Sequence, residues 1–266
     1  MTPVKLLVSG AGDLGMRVAR LIAANGTALL AGEIICETRS RKSHARIKSE
    51  GFSVKCIDDV PVVADSLIVS FPPSDHYLRD LSAALKQWNR RGCGLMVSST
   101  GVYLENQGSL VDEASPVDQQ SVIVAAENLA RSQGLHVVRM AGLYDRHTGP
   151  QIYWQKKQDQ EKKALDSDGE GYINLIHRDE AAEALVRVLR SSSSTTPELW
   201  NLSDGYPLSR KMIAEAWAQF LQVPACSFSG YSAGSKSGKK VNSEKFQKAF
   251  DWKLRGGFLE FLEKLN

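Results

Sequence analysis

The stretch "VSGAGDLG", Val8 to Gly15, decides how the rest of the chain is read. It closes a short β-rich run, "VKLLVS", and opens directly into the helix-compatible "MRVARLIAANG". Gly10, Gly12 and Gly15 are spaced as G-x-G-x-x-G at this strand-to-helix junction. There the first glycine permits a tight turn, the second lets the backbone approach a pyrophosphate, and the third lets helix pack on strand, while the helix N-terminus attracts negative charge. The candidate pyrophosphate-binding residues are Gly10, Gly12, Asp13, Leu14 and Gly15.

Outward from this loop, the runs "EIICE", "FSVKCI", "DSLIVS", "GLMVSS" and "HVVRM" alternate with helix-compatible segments to about residue 140. Runs apolar on both faces suit strands covered by helices on two sides, and short connections between parallel neighbours imply right-handed crossovers. The expected architecture is α/β, a doubly wound parallel (Rossmann) sheet, with a smaller C-terminal substrate lobe. The dinucleotide-binding domain is expected over residues 1–145 and the lobe over 146–266, partly interleaved with the Rossmann core around 171–205. After residue 145 the chain loosens into a polar stretch with Gly and Asp turns, then "HRDEAAEALVRVLR" returns to helical periodicity. "SSSSTTP", Ser191 to Pro197, reads as a surface linker, and "SFSGYSAGSKSGKK", Ser227 to Lys240, as a mobile loop rather than a phosphate site.

Bulk properties narrow the function classes. Among 266 residues, 33 Lys and Arg face 30 Asp and Glu, and no dense basic stripe interleaves with aromatics, which argues against nucleic acid. No apolar run is long enough to cross a bilayer and no signal peptide is evident, so no membrane partner is expected. Cys36, Cys56, Cys93 and Cys226 fall at wide, irregular spacings without a CxxC pair. They read as reduced thiols of a cytoplasmic protein. No His, Cys and acidic residues share metal-ligand spacing, and no metal is assigned.

Cofactor type is written at the end of the second strand, in "CETRSRKS". An NAD site usually offers an acid there to the adenosine ribose, whereas Thr38, Arg39, Ser40 and Arg41 suit a 2′-phosphate, Arg by forked hydrogen bonds. The basic cluster favours NADP, and Glu37 keeps NAD open. Ser70, Phe71 and Pro72 in "SFPPS" end the fourth strand as a stiff wall beside the cofactor, because Pro72 and Pro73 cannot continue a sheet.

With "GAGDLG", "TRS", "SFPPS", "SSTGVY" followed by "VDEASP", "VVRMAGLYD", "LIHRDEAAEAL" and "LWNLSDGYPLSR" in this order, the chain resembles the NAD-dependent epimerase/dehydratase family. Within it, the chain is similar to the atypical extended short-chain dehydrogenases described as nucleoside-diphosphate-sugar epimerase-like. The resemblance implies an NAD(P)-dependent oxidoreductase or epimerase acting on a nucleotide-sugar-like or small hydroxylated substrate, in a possible homodimer. It gives Ser98 to the cofactor site and Ser99, with Thr100 beside it, to the reacting oxygen. It also implies a Tyr-x-x-x-Lys pair on the following helix, and there this chain departs from the family. Aligning on Glu127 puts Gln119 and Ile123 at the two positions, and no Tyr or Lys occurs between Leu104 and Tyr144. Glutamine does not titrate near neutral pH and isoleucine carries no charge, so that proton relay is missing. Tyr144 is the best surrogate acid, and Arg146 a candidate contact for an anionic substrate. The rival class is a non-catalytic NADP(H)-binding sensor.

Overall fold

Six of the apolar runs become strands of one sheet because β-branched and long apolar side chains at alternate positions can be covered on both faces. The computed structural model describes residues 4–24, 32–161, 164–165, 167–191, 196–230 and 237–265. In chain order the elements are β1 (Leu6–Ser9), α1 (Asp13–Ala24), β2 (Ile34–Thr38), α2 (His44–Ser49), β3 (Ser53–Cys56), β4 (Ser66–Val69), α3 (Tyr77–Lys86), β5 (Gly94–Ser99), β6 (Gln107–Val111), α4 (Val122–Ser132), β7 (His136–Met140), β8 (Gly142–Tyr144), α5 (Pro150–Glu161), β9 (Tyr172–Ile173), β10 (Leu175–His177), α6 (Arg178–Arg190), β11 (Leu199–Leu202), β12 (Leu208–Ser209), α7 (Arg210–Leu221), β13 (Gly238–Val241), α8 (Glu244–Phe250) and α9 (Phe258–Glu263).

A mostly parallel, seven-stranded sheet runs in the order β11-β7-β5-β4-β1-β2-β3, the Rossmann-like arrangement. Strand order reverses between β1 and β4, and in such sheets ligands bind outside the carboxyl ends of the strands at that point. Period-2 alternation assigns the faces. Leu7, Ile35, Leu67, Val69 and Met96 join Tyr77, Leu81 and Ala84 of α3 and Ala126 and Ala130 of α4 in one buried cluster. Cys36, one residue further along β2, turns to the opposite face and meets Met16 of α1, with the sulfurs 3.6 Å apart.

The chain divides into two compact units. The first comprises Met1–Val102, Asp118–Arg139 and Asp179–Trp200, and the second Tyr103–Val117, Met140–Arg178 and Asn201–Asn266. The chain therefore passes between the units several times, beginning at Tyr103. The second unit carries a sheet in the order β12-β9-β13-β6 and a parallel β8–β10 pair. One core of the second unit is formed by Tyr144, Leu175, Leu208, Ile213, Trp217, Phe258 and Leu262.

Two segments differ from expectation. The polar stretch after residue 145 contains α5, and Ile152 and Trp154 of that helix pack on the core just named while Tyr153 is exposed. Its apolar residues are contiguous rather than spaced at three and four, so no helical stripe marks it. The Gly-, Ser- and Lys-rich stretch ends in β13, where Gly238–Val241 pairs with β6. Residues 231–236 of that stretch, and 192–195 of the expected linker, lie outside the described residues. No helix among the described residues is long and apolar enough to cross a membrane.

The first unit also buries an ion pair. Arg139 of β7 grips Glu127 of α4 with Nε 3.0 Å from Oε1 and Nη2 2.7 Å from Oε2. Both side chains are almost fully buried. Arg139→Met should lower the unfolding free energy by about 3–5 kcal/mol in urea titration, because it strands a buried carboxylate. Removing the exposed Lys248–Glu244 pair by Lys248→Ala should change it by no more than about 0.5 kcal/mol. Equal losses from the two variants would contradict this account.

Candidate dinucleotide-binding site

The three glycines of the loop after β1 do different work. Gly10 has φ +95°, and a Cβ there would lie 2.4 Å from the Phe71 amide nitrogen and 2.7 Å from the Ser70 carbonyl carbon. A Cβ on Gly15 would lie 2.6 Å from the Gly10 oxygen, whereas one on Gly12 would have nothing within 4 Å. Gly10 and Gly15 thus allow backbones to close on one another, and Gly12 leaves open space beside the loop. Met16 N–H reaches back to the Gly12 oxygen at 3.0 Å. The amides of Asp13, Leu14 and Gly15 therefore precede the first N–H bonded within the helix, as the N-terminus of a helix requires for an anion. The Asp13 carboxylate turns sideways into a 3.0 Å ion pair with Arg17.

The exit of β4 forms the neighbouring wall. Ser70 donates its backbone N–H to Ser9 O and its hydroxyl to Gly10 O, at 2.8 and 2.9 Å, which ties this strand end to the glycine loop. Phe71 packs edge-on against Tyr77 with ring centroids 5.7 Å apart, and Pro72 is exposed.

At the exit of β2 the parallel register sets Ser9 opposite Glu37 and Glu37 opposite Lys55. The row that begins with Leu7 and Ile35 therefore ends in three polar side chains across β1, β2 and β3. Ser9 Oγ donates to Glu37 Oε1 at 2.7 Å, while Lys55 Nζ and Gln87 Nε2 donate to Oε2 at 2.5 and 2.9 Å. Glu37 is 1% exposed and Lys55 8%. The acid expected as an alternative ribose ligand is thus engaged through both oxygens.

Above this row lies a small open crevice lined by Gly10, Thr38, Arg39, Ile57, Phe71 and Asp80, together with Ser9 and Glu37. Arg39, half exposed, donates from Nη2 to Asp80 Oδ2 at 2.7 Å and to Ser74 Oγ at 2.9 Å. Asp80 is buried, and its other oxygen takes Arg79 at 3.0 Å. Thr38 Oγ1 donates to Ser40 O at 2.9 Å and lies 2.8 Å from His44 Nε2. Ser40 is exposed at the turn, and Arg41 pairs with Asp59. Sequence pattern missed Lys55, Asp80 and Gln87; a lysine inside the otherwise apolar "FSVKCI" run was the available signal.

The exit of β5 separates the three hydroxyls expected there. Ser98 is buried and donates to Glu127 at 2.5 Å, so its hydroxyl proton is spent on the partner of Arg139. Ser99 is half-buried and accepts from Gly101 N–H at 3.0 Å, which leaves its own proton to donate. Thr100 opens a single 3₁₀ turn, Thr100–Val102. Gln119 is exposed ahead of α4, and Ile123 is half-buried in that helix.

In the second unit, Tyr144, expected as the surrogate acid, sits among aromatic rings. It is 1% exposed, and its ring meets those of His177, Phe258 and Phe261 at centroid distances of 5.2–5.4 Å. Arg146 and His147 are exposed beside Asp145. Burial pushes the Asp145 carboxyl up, but hydrogen bonds from the backbone of His147 and Thr148, with Arg178 nearby, hold it below its ordinary value. Burial also pushes the Cys36 and Cys93 thiols up to about 12, which keeps them protonated at neutral pH. Among the described residues no His, Cys, Asp and Glu side chains cluster to hold a metal ion.

The glycine geometry separates two substitutions. Gly12→Val should leave thermal unfolding within a few degrees of wild type while abolishing dinucleotide binding in a fluorescence titration with NADPH. Gly10→Val should lower stability itself, because its Cβ meets backbone and its φ is positive. Undiminished NADPH affinity in folded Gly12→Val would remove the loop from the site.

No family profile matches the chain, and no curated protein matches it in sequence. Solved structures do match over nearly its whole length. A conserved protein of unknown function from Silicibacter pomeroyi is 19% identical, covers 99% of each chain and has a TM-score of 0.77. The dTDP-glucose 4,6-dehydratase of Bacillus anthracis, solved with NAD, is 16% identical over 98% of this chain and 94% of its own, with a TM-score of 0.76. The UDP-glucose 4-epimerase of Bifidobacterium longum, solved with NAD+ and UDP, is 16% identical over 97% and 96%, with a TM-score of 0.75. The chain has the fold of the NAD-dependent nucleotide-sugar epimerases and dehydratases.

Proposed function

We propose that the protein binds a nicotinamide dinucleotide, NADP(H) in preference to NAD(H), and acts as an oxidoreductase or epimerase on a nucleotide-sugar-like or small hydroxylated substrate. The observation that carries this is the glycine loop, open at Gly12, whose Gly10 lines a crevice together with Arg39. The residues fit the group: the first-turn amides of α1 meet a pyrophosphate, and the crevice takes the adenosine end. Charge supports the phosphate form. Arg39 and Arg79 face one carboxylate, Asp80, and Lys55 balances Glu37, which leaves a surplus of one positive charge around the crevice. The substrate class follows the structural neighbours, whose ligands include UDP and UDP-glucuronic acid.

A bound nicotinamide supplies hydride transfer. Ser99, with its oxygen fixed by Gly101 N–H, would donate its proton to a substrate oxygen and orient it. A second reading, NADP(H) sensing without turnover, is favoured by one observation. Neither exposed Gln119 nor Ile123 moves protons, and Tyr144 is packed in the core of the second unit.

Calorimetry with both cofactors tests the first statement. NADP should bind more tightly than NAD, and Arg39→Ala should narrow the gap by about 1.5–3 kcal/mol through loss of charge-assisted hydrogen bonds. Tighter NAD binding by the wild type would sink the preference. Consumption of NADPH with any sugar nucleotide or small carbonyl, lowered by Ser99→Ala, supports the enzyme; binding without consumption across a broad screen supports the sensor.

A further inference from the structure

The crevice holds two ionisable groups that would read an adenosine ribose in opposite ways. A carboxylate at the end of β2 accepts hydrogen bonds from a ribose diol and repels a 2′-phosphate, while a guanidinium there attracts the phosphate. This chain carries both, Glu37 and Arg39, two residues apart and both lining the same crevice. Which of them a ligand meets depends on how each is held from behind.

Arg39 leans on Asp80 and Ser74 through Nη2 and remains half exposed, with Nε and Nη1 left for a ligand. Glu37 is held in the contrary sense. Its Oε1 accepts from Ser9, and its Oε2 accepts from both Lys55 and Gln87. Gln87, just past the end of α3, also accepts from Val62 N–H at 3.0 Å and lies 3.3 Å from Lys55 Nζ, so the network closes on itself. Lys55 is the only charged donor in it. The register that places Glu37 opposite Lys55 on adjacent parallel strands makes the pairing a property of the sheet rather than of a flexible side chain.

We propose that Lys55 is a specificity-determining positioning residue, which holds the Glu37 carboxylate neutralised and turned into the sheet so that the site reads a 2′-phosphate through Arg39 instead of a ribose diol through Glu37. Lys55 acts in this way only if the crevice holds a dinucleotide, as proposed above. Without the ammonium, Glu37 becomes a buried carboxylate whose nearest relief is the crevice, where its charge opposes the 2′-phosphate and its oxygens reach the diol.

Three variants test it: Lys55→Met, which keeps an unbranched apolar stem of similar length; Glu37→Gln, which keeps the shape and removes the charge; and the double variant, which leaves no buried charge and so guards against misfolding. NADP and NAD affinities are measured for each by titration. Wild type should prefer NADP, and Glu37→Gln should keep or strengthen that preference, because Glu37 is not read and its loss leaves the Lys55 charge uncompensated. Lys55→Met should move the NADP-to-NAD affinity ratio toward NAD by at least about tenfold, and adding Glu37→Gln should restore the wild-type ratio. A merely structural lysine would lower both affinities together and give no such rescue. Should Glu37→Gln alone move the ratio toward NADP by weakening NAD binding, or the double variant keep the Lys55→Met ratio, the proposal is overturned while dinucleotide binding stands. Wild-type protein that binds neither nucleotide overturns both.

Discussion

At Gly10 three pieces of backbone converge with no side chain between them: the end of β1, the first turn of α1 and the exit of β4. The Phe71 amide occupies the space a Cβ would need, the Ser70 hydroxyl bonds the Gly10 carbonyl, and Gly15 presses on that same oxygen. Close approach at this point aims α1 along the sheet, sets its N-terminus at the place where strand order reverses, and brings Phe71 beside Thr38 and Arg39. Any Cβ at Gly10 would push the two strand exits apart and dissolve the crevice along with the turn.

What covers the sheet also decides what its carboxyl edge can hold. Rows of Leu, Ile and Val run beneath α3 and α4, and on that face the last position of three adjacent strands is polar: Ser9, Glu37 and Lys55. Burying a carboxylate costs several kcal/mol unless it is paired and hydrogen-bonded. Glu37 and Glu127 each meet this demand with one cation and one serine: Lys55 and Ser9 for the first, Arg139 and Ser98 for the second. The same device thus stands under the exits of β2 and β5, one below the crevice and one below Ser99. Ser98 was legible as a strand-end hydroxyl, but both serines spend their protons inward.

Much of the first unit was legible because local signals agreed with tertiary demand. The glycine spacing, the strand runs and "HRDEAAEALVRVLR" all appear where periodicity puts them, and of the turn after β2 Thr38 and Arg39 line a crevice while Ser40 and Arg41 do not. Legibility failed where a residue's partner is distant in sequence. Nothing near Ser98 announces Glu127, nothing near Glu37 announces Lys55 or Gln87, and Tyr144 looks like a strand-end phenol until Phe258 and Phe261, more than a hundred residues on, are seen against it. Helix α5 failed for another reason: its apolar residues are adjacent, so the signal that marks a stripe is absent although Ile152 and Trp154 are used in packing.

The interleaving of the two units bears on how the chain is made. Every residue named at the crevice lies between Ser9 and Gln87, so the ligand-binding corner is synthesised early. Yet the apolar cluster beneath it includes Ala126, Ala130, Val137 and Leu199, contributed by segments that leave the ribosome much later. Until they arrive, the nascent half-sheet presents an uncovered apolar face and an unpaired edge, the state in which parallel sheets fold slowly and associate wrongly. A chain stopped short of β11 would hold all the chemistry of the crevice and lack the support that keeps it in place.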